Sequence, residues 1–174
     1  MKFGNVNIEA IHGDITNQND ITAIVNAANA QLQMGGGVAG AIHTAAGKEL
    51  AEETKALAPI NPGQAVITGA YKLPNKYIIH TLGPVYGFNQ PEDMFLRKCY
   101  KNSLALAEEN NIDSIAFPAI STGAFGYPFD QATEIAFSSV LDFTKEAKSV
   151  KLIRFVLFSE KDFQHYQNML NSIK

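Results

Sequence analysis

The 174-residue sequence has a single cysteine, no excess of basic residues and no long apolar run. A lone Cys99 excludes an intramolecular disulfide and favours a reducing compartment, so a cytoplasmic location is expected. The net charge of −3 argues against nucleic acid as a partner, because non-specific binding to nucleic acid requires a basic surface. No segment approaches the roughly 18 consecutive apolar residues of a membrane-spanning helix, so no membrane association is expected.

Metal-ligating residues are equally sparse. Four histidines and one cysteine do not cluster in the sequence, so neither a metal site nor a cofactor is expected. His80 lies in an apolar strand and is interpreted as a hydrogen-bonded core residue. His43 follows a run of three glycines on a small-residue helix, where packing is favoured and a supporting role at the glycines stays open. His12 and His165 carry no functional signal.

The chain does have an ordinary globular composition, with 46% hydrophobic and 18% charged residues, and its length suits one domain over residues 1–174. Apolar runs of strand length alternate with segments of helical periodicity. This alternation predicts an α/β fold, a three-layer α/β/α sandwich with a mixed, largely parallel central sheet. The predicted strands are 21–28, 64–71, 76–83, 113–120 and 150–159, together with the segment 6–15, which begins as a strand and ends in a polar turn. The predicted helices are 38–57 with a break near Gly47, 93–111, 129–147 and 160–173.

Two glycine-rich segments, MGGGVAG at 34–40 and STGAFGYP at 121–128, each follow a predicted strand and precede a predicted helix. Glycine backbones can turn consecutive N–H groups toward one anion, and the following helix adds its positive N-terminal end. Two such loops at one sheet edge predict a site that clamps a diphosphate, whereas either loop alone is equally well explained as a tight turn. Neither segment has the Lys-Ser/Thr of a P-loop or the GxGxxG spacing, which disfavours a kinase or NTPase.

Five short motifs occur in order along the chain: GDIT (13–16), IVNAAN (24–29), GGGVAGAI (35–42), HTLGP (80–84) and FPAISTGAFGYP (117–128). In content and order they resemble the motifs of macrodomains, the ADP-ribose-binding α/β/α modules. The resemblance runs from about residue 6 to the last predicted helix. It is nearest to bacterial proteins of the MacroD-type branch, and the form GGGVAG is also that of viral macrodomains.

The resemblance implies an adenine pocket built from three residues. Asp14 matches the aspartate that accepts a hydrogen bond from the exocyclic amine of adenine, although its place at a turn also makes it a candidate helix N-cap. Phe158 matches the aromatic residue that packs on the adenine ring, whereas without the resemblance an aromatic residue at a strand end is more often part of the core. Ile15 is expected to contribute backbone contacts to the same pocket.

The resemblance also assigns the distal ribose and the phosphates. Asn29 matches the asparagine that holds the distal ribose and acts in turnover, and a side-chain amide offers both donors and an acceptor to ribose hydroxyls. Asn26, also expected at the ligand site, is interpreted as bracing this loop through backbone groups. The other expected ligand-binding residues are Gly35, Gly36, Gly37 and Val38 in the first loop and Ser121, Thr122, Gly123, Ala124, Phe125 and Gly126 in the second. Phe125 is expected to close over the ligand, and Tyr127 is either a lid or a packing residue.

The activity implied by the resemblance is that of an ADP-ribosyl hydrolase. It would remove mono-ADP-ribose from acidic side chains of proteins, deacetylate O-acetyl-ADP-ribose, or do both. The expected partners are therefore ADP-ribose, ADP-ribosylated proteins and O-acetyl-ADP-ribose, and a monomer is expected.

One residue departs from the pattern of MacroD-type hydrolases. These commonly carry an aspartate where this chain has Ala39, and a methyl group neither accepts a proton nor orients water. Substrate-assisted attack by water, the usual proposal for viral macrodomains, does not need that carboxylate. Two alternatives stay open: a non-catalytic reader of ADP-ribose, and a phosphatase acting on ADP-ribose 1″-phosphate.

Overall fold

The computed structural model describes residues 1–173, which form seven strands and five helices. The strands are β1 Lys2–Phe3, β2 Val6–His12, β3 Ala23–Ala27, β4 Ala65–Gly69, β5 Tyr77–Thr81, β6 Ser114–Phe117 and β7 Leu152–Leu157. The helices are α1 Gly37–Ala46, α2 Lys48–Lys55, α3 Glu92–Glu109, α4 Phe129–Thr144 and α5 Glu160–Ser172. Within residues 1–173 every helix is too short or too polar to span a lipid bilayer.

All seven strands belong to one sheet, in the order β1-β2-β7-β6-β3-β5-β4. The five inner strands run parallel, and β1 and β4 pair antiparallel at the two edges. β4 runs antiparallel to β5 because a short connection joins them, whereas parallel neighbours require a long crossover. The predicted mixed, largely parallel sheet is confirmed.

Alternate side chains of the inner strands point to opposite faces of the sheet, and helices cover both faces. In β3, Ala23 and Val25 belong to the core shared with α3, α4 and α5, whereas Ile24 belongs to the core shared with α1 and α2. All three residues are fully buried, as expected for a strand covered on both sides. The predicted three-layer α/β/α sandwich is confirmed.

The structure differs from the predicted elements mainly at their ends. β1 escapes prediction because two residues are too few to show alternation. The segment 6–15 is a strand as far as His12 and then a turn, as predicted, and residues 13–22 form turns without a helix. The predicted break in the first long helix is confirmed at Gly47, whose φ of +94° lies in the region that favours glycine.

Arg154 of β7 holds these turns against the sheet. Its Nη1 and Nη2 donate to the two carboxylate oxygens of Asp20, each at 2.7 Å, and its Nε donates to Glu9 Oε1 at 2.7 Å. The hydrogen bonds from Arg154 hold the pKa of Asp20 below its usual range. The segment that follows β2 is therefore fixed at the edge of the sheet where β2 ends.

Candidate functional site

The carboxyl ends of the five parallel strands lie along one edge of the sheet, and the predicted site residues cluster there. In spatial order the edge carries residues 13–16 after β2, Phe158 after β7, residues 118–128 after β6 and residues 28–36 after β3. Three strand spacings of about 4.8 Å separate β2 from β3, so this row spans roughly 14 Å. The sheet thus gathers residues that are far apart in sequence into one extended row.

The row contains a topological switch point between β3 and β6, which is where open α/β sheets form a crevice. The two strands are neighbours, but α1 follows β3 onto one face of the sheet and α4 follows β6 onto the other. Open α/β sheets bind ligands at such a switch point, beyond the carboxyl ends of the strands. The two glycine-rich loops leave β3 and β6 and lie on the two sides of the crevice.

The first glycine loop leads directly into α1. Gly36 is the N-cap residue, and no side chain of the described chain caps this helix or adds an acidic group to its first turn. A Cβ atom at Gly36 would meet no heavy atom within 4 Å, so this backbone is open on the outside. Gly37 has a φ of +57°, which only glycine adopts readily. The N–H groups at the start of α1 are therefore available to an anion from outside the chain.

Asn29 lies beside this loop. A Cβ atom at Gly35 would be 3.2 Å from Asn29 Nδ2, so the amide and the loop backbone are in contact. The amide is held by Gln33: Nδ2 donates to the Gln33 carbonyl oxygen at 2.8 Å, and Oδ1 accepts from the Gln33 N–H at 3.1 Å. One N–H and one lone pair of Asn29 remain for a ligand.

The interpretation of Asn26 as a brace for backbone groups is wrong. Its side chain is buried under the loop, and Nδ2 lies 3.0 Å from His80 Nδ1. The bracing that we expected from Asn26 comes instead from Asn29 and Gln33. Asn26 Oδ1 has no hydrogen-bond partner within residues 1–173, so one polar atom stays unpaired beneath the crevice.

His80 and His43 complete a buried polar group behind the first loop. His80 Nε2 lies 2.9 Å from Thr68 Oγ1, so both ring nitrogens have partners and the core interpretation is confirmed. Burial, and secondarily the charge of nearby His43, lowers the pKa of His80 to about 3. Burial also lowers the pKa of His43, whose Nε2 has no partner in the described chain. Both imidazoles are therefore neutral at pH 7.

The second glycine loop is tightly built. Ser121 is buried with a φ of +66°, a conformation that a non-glycine residue holds only when its surroundings enforce it. A Cβ atom at Gly83, just beyond β5, would collide with Ser121 Oγ. The Ser121 carbonyl oxygen accepts from the Tyr127 N–H at 2.9 Å, and the Gly123 carbonyl oxygen accepts from the Gly126 N–H at 3.0 Å. Strained backbone of this kind is concentrated at ligand-binding loops.

Two aromatic residues of the second loop face different surroundings. Phe125 is half-buried against a small apolar cluster that includes Leu32, and its carbonyl oxygen accepts from the Tyr86 N–H at 2.9 Å. Tyr127 is buried, and its ring centroid lies 4.9 Å from that of Tyr86. Of the two interpretations of Tyr127, the packing residue is therefore the correct one. Thr122 turns inward too, since its Oγ1 donates to the Ala119 carbonyl oxygen at 3.0 Å.

The ends of β2 and β7 bring Asp14 and Phe158 to neighbouring positions. The N-cap alternative for Asp14 is wrong, because its Oδ1 accepts from the Thr16 N–H at 2.8 Å and the Thr16 hydroxyl at 2.7 Å within a turn that no helix follows. The core alternative for Phe158 is also wrong, since the residue is 86% exposed. Ile15 is buried and packs into the core shared with α1 and α2. An exposed aromatic ring thus stands on the strand next to an exposed carboxylate.

Gln18 and Arg154 support Asp14, and sequence reasoning missed both. The Gln18 amide nitrogen donates to the Asp14 carbonyl oxygen at 2.8 Å, while its Oε1 accepts from Arg154 Nη1 at 3.0 Å. Asn75 donates to the Gln18 carbonyl oxygen at 2.8 Å. These contacts join residues from three distant segments, so no local sequence motif indicates them.

Other parts of the molecule are less suited to bind a ligand. A groove of about 980 Å³ lies between α3 and α4, but none of the unpaired buried polar atoms of residues 1–173 lines it. These residues also contain no cluster of three or more His, Cys, Asp or Glu side chains that could hold a metal ion. Burial raises the pKa of Cys99 to about 11, so its thiol stays protonated and is a poor nucleophile.

The family model described as Macro domain matches residues 25–136, which include both glycine loops. The chain belongs to the macro domain family. It is 49% identical to a macro domain-containing protein of Caldanaerobacter subterraneus, over 91% of this chain and 93% of that protein. It is 47% identical to the O-acetyl-ADP-ribose deacetylase of Citrobacter rodentium, over 95% of this chain and 96% of that protein.

Other matches are also to macrodomain proteins. The ADP-ribose glycohydrolase MACROD2 of Xenopus laevis is 46% identical over 91% of this chain, which spans 38% of that longer protein. A mutant of the Oceanobacillus iheyensis macrodomain with ADPR superimposes with a TM-score of 0.94 at 37% identity, covering 99% of this chain and 96% of that chain. The Trypanosoma brucei macrodomain in complex with ADP-ribose gives 0.88 at 38% identity, covering 94% of this chain and 68% of that chain. The resemblance to macrodomains is confirmed.

Acid should destabilise this macrodomain through the buried histidine. The unfolded chain binds a proton at His80 near pH 6.5, whereas the folded chain binds it only near pH 3, so the unfolded state holds more protons in that interval. The free energy of unfolding is unaffected by His80 well above pH 6.5. Below pH 6.5 it falls by about 1.4 kcal/mol for each pH unit, until the folded chain is protonated as well near pH 3. Urea unfolding at pH 6.5 and pH 5.0 should therefore differ by about 2 kcal/mol from this residue alone.

A control variant separates this residue from the others. His80→Asn removes the titrating ring and should reduce the pH dependence of the unfolding free energy. His165→Gln replaces a partly exposed histidine of α5 and should keep that pH dependence. An unchanged slope in His80→Asn would show that His80 does not titrate differently in the folded and unfolded states.

Proposed function

We propose that this macrodomain binds ADP-ribose along the carboxyl edge of its sheet. The adenine lies between Asp14 and Phe158, the diphosphate lies between the two glycine loops, and the distal ribose lies beside Asn29. The observation that carries the proposal is the open, uncapped start of α1 at Gly36, which follows β3, the strand that pairs with β6 and therefore neighbours the start of the second glycine loop. Backbone N–H groups and the helix N-terminus suit a diphosphate without a lysine.

The two ends of the row support the same ligand. Oδ2 of Asp14 has no hydrogen-bond partner within residues 1–173 and can accept from an exocyclic amine, while the exposed Phe158 ring offers a stacking surface. The row extends roughly 14 Å from the proposed adenine pocket to Asn29, which suits an extended ligand such as a nucleoside diphosphate carrying a second sugar. Related macrodomains that were solved with ADPR and with ADP-ribose support ADP-ribose as the ligand.

The activity proposed for this site is hydrolysis. Water placed between the ligand's own phosphate and the distal ribose attacks the ester that joins the ribose to the acyl group. The ester breaks, and the products are ADP-ribose and either the free carboxyl group of an acidic side chain or, from O-acetyl-ADP-ribose, acetate. Asn29 fixes the ribose, because its own amide is immobilised by two bonds to Gln33. Relatives named as an O-acetyl-ADP-ribose deacetylase and an ADP-ribose glycohydrolase support this class of reaction.

A reader without turnover is the second candidate, and Ala39 favours it. Ala39 is the third residue of α1 and carries only a methyl group, so this position supplies no carboxylate that could orient a water. Catalysis therefore depends on geometry supplied by Asn29 and the loops, in place of a protein base. A phosphatase acting on ADP-ribose 1″-phosphate would use the same contacts and differs only in its substrate.

Gly36→Glu tests whether the first loop holds the diphosphate. Gly36 has a φ of −86° and open space around it, so the fold should tolerate a side chain. A carboxylate within about 4 Å of a phosphate costs about 4 kcal/mol at an effective dielectric constant near 20, so calorimetry should show ADP-ribose affinity reduced at least roughly 100-fold. Gly36→Gln has a side chain of the same shape without the charge, so its affinity for ADP-ribose should fall clearly less than that of Gly36→Glu. Equal affinities in the wild type and a folded Gly36→Glu would show that the loop is only a turn.

Turnover is tested with a protein mono-ADP-ribosylated on an acidic side chain and, separately, with O-acetyl-ADP-ribose. Release of product is followed over time for the wild type and Asn29→Ala. Because a misplaced reacting centre costs about 100-fold, Asn29→Ala should lower kcat by that order while ADP-ribose affinity falls only modestly. ADP-ribose 1″-phosphate, tested in parallel, distinguishes the phosphatase.

Ala39→Asp is the complementary variant. A carboxylate in the first turn of α1 is favoured by the helix N-terminus and stays ionised, so it can orient water and should raise the rate. Ala39→Asn, similar in shape but neutral, should not. If the wild type and Ala39→Asp both fail to turn over any substrate while ADP-ribose still binds, the hydrolase is wrong and the reader stands.

A further inference from the structure

His12 is the last residue of β2 and contacts the segment that follows β7. Its Nε2 lies 3.1 Å from the carbonyl oxygen of Phe158, and its Nδ1 lies 3.0 Å from Glu160 Oε2. On its other side the imidazole stacks on Phe163 of α5, with ring centroids 6.4 Å apart. Sequence reasoning assigned no role to His12, yet it bridges two strand ends that are 146 residues apart.

Both polar partners of His12 are hydrogen-bond acceptors. A carbonyl oxygen and a carboxylate oxygen each require an N–H from the ring, and a neutral imidazole has only one. Only the imidazolium form can therefore donate to the Phe158 carbonyl and to Glu160 together. The other oxygen of Glu160 accepts from the Gln164 amide at 2.8 Å, which fixes the carboxylate in place.

The backbone position of Phe158 depends on this contact, because Phe158 is the single residue between the end of β7 and Ser159, the N-cap residue of α5. Before it, the Leu157 carbonyl oxygen accepts from the Gly13 N–H at 2.9 Å, which is the last sheet-like bond. After it, Ser159 caps α5, its Oγ accepting from the Asp162 N–H at 3.1 Å. The Phe158 side chain itself is exposed and has almost no packing, so backbone contacts determine the direction of the ring.

We propose that His12 is a positioning residue that holds Phe158 in place for adenine and does so fully only as the imidazolium. The proposal rests on the function proposed above, in which Phe158 stacks on adenine. The charged group in contact with the His12 ring is Glu160 of α5. Asp14 is two residues after His12 in the chain, and its Oδ1 accepts from the Thr16 N–H and hydroxyl. Because only the imidazolium donates to both partners, ADP-ribose affinity should consequently be higher in acidic than in alkaline buffer.

The test is calorimetry with ADP-ribose at pH 6.0 and pH 8.0, since its diphosphate does not titrate in this interval. The wild type should bind roughly threefold to tenfold more tightly at pH 6.0, the effect of one hydrogen bond. His12→Gln keeps a donor but cannot become charged, so its affinity should be the same at both values of pH. His165→Gln, the matched control on α5, should keep the wild-type dependence.

A double-mutant cycle identifies Phe158 as the residue through which His12 acts. Phe158→Ala should weaken binding about tenfold by loss of stacking, and it should also remove the pH dependence. Adding His12→Gln to Phe158→Ala should then cost nothing further. Independent, additive losses from the two changes, or a wild-type affinity that is flat between the two pH values, would overturn the inference. An unchanged affinity in Phe158→Ala would instead contradict the proposed adenine site itself.

Discussion

β3 and β6 lie side by side and parallel in the middle of the sheet, and the helices that follow them pack on opposite faces. The arrangement of the remaining site depends on this pairing, since it separates the two glycine loops and opens a crevice between them. The parallel strands β7 and β2 extend the row of site residues beyond β6. A slip of register between β3 and β6 would reverse which side chains face each core, so burial on both faces protects the geometry of the crevice.

Backbone shape carries most of the proposed recognition. A Cβ atom at Gly40 would collide with the Gly35 carbonyl oxygen, so the first turn of α1 and the loop before it pack at backbone contact. The second loop packs equally closely, because Ser121, with its positive φ, lies where a Cβ atom at Gly83 would be. These positions allow a phosphate to approach main-chain N–H groups without a cationic side chain, which agrees with a chain whose net charge is −3.

The parts of the fold that are local in sequence could be predicted. Strands such as β3 show continuous apolar runs, and the break at Gly47 follows from a glycine within a helical pattern. Predicted ends were less accurate because the loops after the strands continue the apolar pattern for a few residues. The positions of both glycine loops could be predicted as well, because each lies between a predicted strand and a predicted helix. The resemblance to macrodomains was carried by motifs that lie at the same strand ends.

Contacts between distant segments could not be predicted. Nothing near Asn26 in the sequence indicates that its partner is His80, and Arg154 reaches Asp20 from a strand 134 residues away. The exposure of Phe158 is likewise a product of the short link between β7 and α5 and not of its own residue type. The partners of side chains at this site therefore depend on which strands become neighbours, and strand neighbours cannot be inferred from the local sequence.

The central claim is that the crevice recognises both ends of ADP-ribose, and calorimetric comparison of ADP-ribose with AMP tests it most directly. AMP fills the adenine end and one phosphate position but lacks the distal ribose that Asn29 is proposed to hold. ADP-ribose should bind in the micromolar range, about −8 kcal/mol, with AMP at least roughly tenfold weaker and neither value changed by EDTA. AMP binding as tightly as ADP-ribose would contradict the account.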